Sequence, residues 1–107
     1  MKGKFKTPYY AVIFSSKRTL TEEGYAETAT EMVELAEKQS GYLGIESYRE
    51  GNGKGVTISY WKSMEDIKVW KSNLAHAKAQ KSGKEKWYEN YTVRICKVEK
   101  EYSFEAE

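Results

Sequence analysis

The sequence predicts an α+β fold of the ferredoxin-like type, βαββαβ, with a four-stranded antiparallel sheet and both helices on one face. Three observations carry that expectation. Two segments, around Tyr25–Ala36 and Ile67–Leu74, repeat apolar residues at helical spacing, whereas four others read as strands. A glycine-rich turn, Gly51-Asn52-Gly53-Lys54-Gly55, joins the middle two strands into a hairpin. The first and last strands carry apolar groups on both sides, so both faces of the sheet need cover.

Residues 1–7 are basic and patternless and read as a loose N-terminal segment. Pro8 opens the first strand, since proline is tolerated at a strand's first residue. Tyr9, Ala11 and Ile13 share one of its sides, and Tyr10, Val12 and Phe14 the other. Thr21, followed by Glu22 and Glu23, reads as a helix start with a capping hydroxyl and acids in the first turn. Tyr25, Ala29, Met32, Val33 and Ala36 form the helix's apolar stripe, and Gln39-Ser40-Gly41 ends it. The hairpin takes Tyr42–Glu50 and Val56–Trp61. Ser63-Met64-Glu65-Asp66 resembles a capping box with a shortened acid. Ile67, Trp70 and Leu74 follow, in a helix expected to break near Asn73 and run on to Gly83. Trp87 and Tyr88 fall in a connection, and Tyr91–Tyr102 is the last strand, with Val93 and Ile95 opposed to Cys96 and Val98.

Right-handed crossovers put both helices over one face. The other face, apolar and aromatic, is then covered by a second copy. Two sheets packed face to face make a symmetric homodimer, a dimeric α+β barrel. A chain of 107 residues is a single domain, 1–107. Its 18 basic and 16 acidic residues, in mixed order, give no electrostatic footprint for nucleic acid or an anionic membrane. One cysteine excludes an intrachain disulfide and a cysteine-rich zinc site, and no carboxylate–histidine group has metal spacing. Cys96 itself reads as a small buried hydrophobe. With no secretory leader and no apolar run near the ~18 residues that span a bilayer, the expected setting is soluble and cytoplasmic.

The stretch 56–95 holds all three tryptophans and the only histidine. Such residues are what a pocket for a flat, partly apolar ligand uses, and also what a small core uses. Trp61 and Trp70 line a pocket between sheet and helices or simply pack there. His76 is a general base, a haem ligand, or a surface histidine. Asn73 presents its amide to the pocket or ends a helix. Tyr48 and Tyr60 orient a ligand through their hydroxyls or sit at the dimer seam; Trp87 and Tyr88 wall the pocket or staple the connection.

Five segments resemble the antibiotic biosynthesis monooxygenase (ABM) superfamily: YYAVIFSSKRT (9–19), MVELAEKQSGYLGIES (32–47), ISYWKSMEDIKVWK (58–71), HAKAQKSGKEKWYENYTVRI (76–95) and KVEKEY (97–102). The resemblance implies a dimeric barrel. Some members of that superfamily oxygenate aromatic polyketides without metal or flavin; others bind and degrade haem through a helix histidine, a tryptophan and an asparagine. The haem degraders carry that histidine about ten residues beyond the helix tryptophan. Here His76 lies six beyond Trp70, and Gln80 stands where the ligand is wanted. The function implied is a cofactor-independent monooxygenase of a small phenolic or quinone-like aromatic. His76 takes the substrate's proton, and Asn73 or a tyrosine hydroxyl steadies the developing charge. The pocket is lined by Trp61, Trp70, Tyr48, Tyr60 and Tyr88. The alternatives are a haem-binding or haem-degrading protein and a non-enzymatic dimer that binds a small apolar molecule.

Overall fold

A computed structural model describes residues 5–80 and 87–106, with the side chains of 75–80 left out. The elements run β1 (Tyr9–Arg18), α1 (Tyr25–Glu37), β2 (Tyr42–Arg49), β3 (Lys54–Trp61), α2 (Met64–Gln80) and β4 (Tyr88–Val98). They form one sheet in the order β2-β3-β1-β4, every neighbour antiparallel. This is the ferredoxin-like order.

Directly opposed residues in antiparallel strands share a face. Tyr10 opposes Trp61 and Lys97; Val12 opposes Ser59 and Ile95; Phe14 opposes Thr57 and Val93. On this side Val12 and Trp61 form the core with Ala36 of α1 and Ile67 of α2, and Tyr10, Tyr42 and Trp70 pack against it. One residue from each helix in the same cluster puts both helices over this face. The other face carries Tyr9, Ala11 and Ile13, with Tyr60, Ile58, Val98 and Cys96. Phe5 docks there, its ring 5.2 Å from that of Tyr9 and 5.5 Å from that of Tyr60. The N-terminal segment is therefore anchored from Phe5 onward rather than loose.

The boundaries differ from expectation for physical reasons. Helix α1 begins at Tyr25, not at Thr21, after Gly24 in a left-handed conformation with no side-chain cap. The carbonyls of Thr21 and Glu23 are held by Arg18 and by the Trp87 indole, which keeps that segment out of the helix. The Ser63 cap is real: its hydroxyl accepts from the Asp66 N–H at 3.1 Å and donates to the Asp66 carboxylate at 2.8 Å. Helix α2 then runs without a break through Asn73. Gly41 sits at φ +83°, and a Cβ there would stand 2.0 Å from Asp66 Oδ2, so the entry to β2 needs a glycine. β4 starts early, at Tyr88, and stops at Val98, where it pairs with Tyr9, the first residue of β1. Beyond that point it has no strand partner among the described residues. Cys96 is exposed, not buried, because β4 is an edge strand and the helix-free face has no helix over it.

Candidate functional site

Two aromatic groups lie on the helix side of the sheet. The first is built by the last residue of β3 and the second turn of α2. Trp61 and Trp70 stack, with ring centroids 4.8 Å apart and planes at 29°. Tyr42 meets Trp61 edge-on at 5.7 Å. Trp61 is wholly buried, and its indole N–H donates to Ser59 Oγ at 2.9 Å. The Trp70 indole nitrogen is also buried, but has no hydrogen-bond partner among the described residues. An unpaired buried donor costs about 1–3 kcal/mol, and most buried polar groups avoid it. The fold thus holds one N–H desolvated with no acceptor among the described residues. Beside it, burial and the Glu37 charge push the Tyr42 hydroxyl's pKa up, so it stays a neutral phenol.

The remaining candidates are distributed differently from the expected single pocket. Asn73 is exposed, and its amide donates to Gln39 Oε1 at 3.0 Å, tying α2 to the end of α1. It neither breaks nor ends the helix. His76 belongs to α2, but its side chain lies outside the described residues. At 100° per residue, position 76 is about 120° around the axis from Trp70. Tyr48 and Tyr60 are on the opposite, helix-free face. Tyr60 follows Ser59 and precedes Trp61 along β3, and neighbours on a strand point to opposite sides. Both hydroxyls donate to Glu46, from Tyr48 at 2.7 Å and from Tyr60 in a shorter bond. The bonds from Tyr60 and Tyr48 lower the Glu46 carboxyl's pKa. Burial first, and then Glu46, holds Tyr60 well above the usual phenol range. The sheet itself separates this trio from the tryptophans.

The second group lies at the far end of β1. Tyr88 opposes Arg18, and its ring packs on Phe14 at 5.4 Å, on Tyr91 at 6.0 Å and on Tyr25 at 6.2 Å. Burial, and then a hydrogen bond with Tyr25, raises the Tyr88 hydroxyl's pKa. Trp87 is buried next to it and donates to Glu23 O at 2.9 Å, as a staple of the connection would. Sequence reading had not singled out Arg18 or Phe14, although both fall on the parity of Tyr10 and Val12. An open groove between the N-terminal segment and the C-terminal tail is lined by Phe5, Lys6, Thr7, Lys100, Glu101 and Tyr102; the contacts of Phe5 with Tyr9 and Tyr60 place it at the Trp61 end of the sheet but on the opposite, helix-free face. Among the described residues, no three His, Cys, Asp or Glu side chains gather as a metal site, and no helix is long and apolar enough to cross a membrane.

The antibiotic biosynthesis monooxygenase family model matches residues 8–82. The uncharacterized protein YqjZ of Bacillus subtilis is 49% identical over 98 residues, covering 92% of this chain and 86% of that protein. Among solved structures, SnoaB, a cofactor-independent oxygenase from Streptomyces nogalater, matches with a TM-score of 0.64 at 12% identity, over 91% of this chain and 97% of that one. Rv0793 from Mycobacterium tuberculosis matches with a TM-score of 0.66 at 12% identity, over 89% and 99%. At such identities the likeness is one of fold.

Proposed function

The chain belongs to the antibiotic biosynthesis monooxygenase family, and on that premise we propose that it is a cofactor-independent monooxygenase of a small phenolic or quinone-like aromatic held between sheet and helices against Trp61 and Trp70. The observation that carries this reading is the buried indole N–H of Trp70, unpartnered among the described residues. A flat ring stacks on the indole pair, and its phenolic oxygen accepts that N–H. As the substrate loses a proton, the bond becomes charge-assisted and strengthens, which favours the anion over the neutral phenol. The electron-rich carbon of the anion passes one electron to dioxygen, and the two radicals join as a hydroperoxide once a proton is returned. Loss of water then turns a ring CH₂ into C=O. One oxygen atom enters the product, the other leaves in water, and the substrate supplies every electron. His76, the sole histidine, takes and returns the proton through a water, given its angular offset from Trp70.

Members of the family are typically dimeric. The helix-free face, with Tyr48, Tyr60 and Glu46 on it, is the surface on which two protomers of this chain pack, in the cytoplasm. Tyr88, opposite Arg18 and eight residues along β1 from the Tyr10–Trp61 pair, lies about 26 Å away and does not reach a small ring on the indoles.

The test is oxygen uptake with anthrones and dihydroxynaphthalenes, in buffer containing a metal chelator. Wild-type protein should consume oxygen above the buffer rate with at least one of them. Trp70→Phe should lower kcat about 10²- to 10³-fold, the usual cost of removing one oxyanion donor. His76→Ala should lower it about 10²-fold or more while the fold is retained. A panel on which wild type never exceeds buffer, or a Trp70→Phe protein as fast as wild type, overturns the reading.

A further inference from the structure

We propose that Arg18 and Arg49 form a site for the carboxylate of a flat aromatic acid where the β2–β3 turn meets the start of α1. This site is distinct from the Trp61–Trp70 stack: Arg18 lies eight residues along β1 from Tyr10, which opposes Trp61, a span of about 26 Å at about 3.3 Å per residue, so the inference stands apart from the proposed function.

Both arginines are on the helix side of the sheet, Arg18 opposite Tyr88 and Arg49 opposite Gly55. Both are tied to one carbonyl. The Arg18 backbone N–H donates to Gly53 O at 3.0 Å, and Arg49 Nη1–H donates to the same oxygen at 2.6 Å. Arg49 Nη2–H also donates to the buried Ser16 Oγ at 2.9 Å. Its guanidinium lies across Gly55, where a Cβ would stand 2.7 Å from Arg49 Cζ. Only glycine leaves that path open. Arg18 Nη2–H donates to Thr21 O at 2.8 Å, and its guanidinium carbon is 3.5 Å from the centre of the Tyr25 ring. Arg18 Nε is buried with no partner among the described residues.

Two guanidiniums are thus fixed by carbonyls, a hydroxyl and a ring, all uncharged. Among the described residues, no ion pair with a carboxylate neutralises either one. Arginine's planar fork matches a carboxylate through two parallel hydrogen bonds, and each arginine here has donors left over. The adjoining surface is aromatic: Phe14, Tyr25, Tyr88 and Tyr91, with Phe14 and Tyr91 stacked at 5.1 Å. A simple inorganic anion makes no use of rings, whereas an aromatic acid uses both halves. The Tyr88 phenol reports on how close the charges come: both arginines draw its pKa down against the larger effects of burial and Tyr25.

Isothermal titration with 2-naphthoate and with neutral 2-naphthamide tests this, on wild type, Arg49→Gln, Arg18→Gln and, as a control, Arg94→Gln. Arg94 opposes Ile13 and so sits on the helix-free face. Naphthoate should bind about tenfold or more tightly than the amide, as a charge-assisted pair implies. That preference should vanish in Arg49→Gln and Arg18→Gln, survive in Arg94→Gln, and weaken with salt. If Arg18→Gln does not fold, the exposed Arg49 decides alone. Equal affinities for acid and amide, an acid preference unchanged in Arg49→Gln, inorganic phosphate binding as tightly as naphthoate, or no binding of either ring would each overturn the proposal. Selective naphthoate binding without oxygen uptake on any substrate would leave it standing and refute only the oxygenase chemistry.

Discussion

Trp61 and Trp70 are stacked neighbours with opposite hydrogen-bonding states, and replacing each by phenylalanine should separate them. Either change keeps a ring in place and removes the indole N–H. Each loses roughly 40 Å² of buried apolar surface, worth about 1 kcal/mol at about 25 cal/mol per Å². For Trp70 that loss is offset, because deleting a buried donor that has no partner returns about 1–3 kcal/mol. The net change in stability should lie between about zero and a gain of about 2 kcal/mol. For Trp61 the losses accumulate. The site is fully buried, so a small cavity adds about 1 kcal/mol, and Ser59 Oγ, itself buried, loses its donor at a similar cost. Trp61→Phe should therefore cost about 2–4 kcal/mol. Urea unfolding followed by circular dichroism, at one protein concentration for both variants, measures the difference. Equal losses would mean that the Trp70 N–H is satisfied in the folded protein, and the argument for a waiting oxyanion donor would fall with it.

Gly41→Ala should cost about 2 kcal/mol or more in urea melts, since the new Cβ meets the Asp66 cap at a positive φ, whereas Gly51→Ala, with open space around it, should change stability by less than about 0.5 kcal/mol. The Tyr9 hydroxyl, bonded to Glu101 at 2.6 Å, has its pKa raised from 10.0 to about 12 by burial and then by that carboxylate. The folded state holds this proton more tightly than the unfolded one, so the added stability is complete below pH 10 and is lost as pH climbs toward 12. Alkaline melts of Tyr9→Phe should show a shallower decline over that window. Haemin added to purified protein should give no saturating one-to-one Soret change at low micromolar concentration. A ligand four residues early along a helix is displaced by about 6 Å, against a metal–imidazole bond of about 2 Å. Light scattering at micromolar concentration should give twice the protomer mass, with an interface above roughly 2,000 Å² in total; a protomer mass would refute the proposed packing of the helix-free face.

Much of the fold was legible because its signals are local. The two-sided apolar run of β1, the glycines of the hairpin and the Ser63–Asp66 cap each act within a few residues. The start of α1 was not legible, because the carbonyl of Glu23 is claimed by Trp87, 64 positions away. The end of β4 was set by where β1 begins, a property of its partner rather than of its own sequence. Asn73 looked like a helix breaker, but its amide is spent on Gln39 across the helix pair. Tyr60 reads in the sequence as either a pocket hydroxyl or a dimer-seam residue. It precedes Trp61 directly, so the two-residue period of a strand already placed them on opposite faces. Glu46 and Tyr48, two apart on β2, carried the same signal for the trio they form with Tyr60. At the tryptophan end, a helix-spaced Trp70 near a strand-ending Trp61 was visible; which indole would lack a partner was not, since that depends on where Ser59 sits.

The most direct test of the central claim is product mass spectrometry after turnover of the best anthrone or naphthol substrate under ¹⁸O₂, with chelator present and no added reductant. The account predicts one labelled oxygen atom in each product molecule, one dioxygen consumed per substrate, and loss of enzymatic labelling in Trp70→Phe. Product formed with oxygen from water, or labelling that requires an added metal, flavin or reductant, would contradict it.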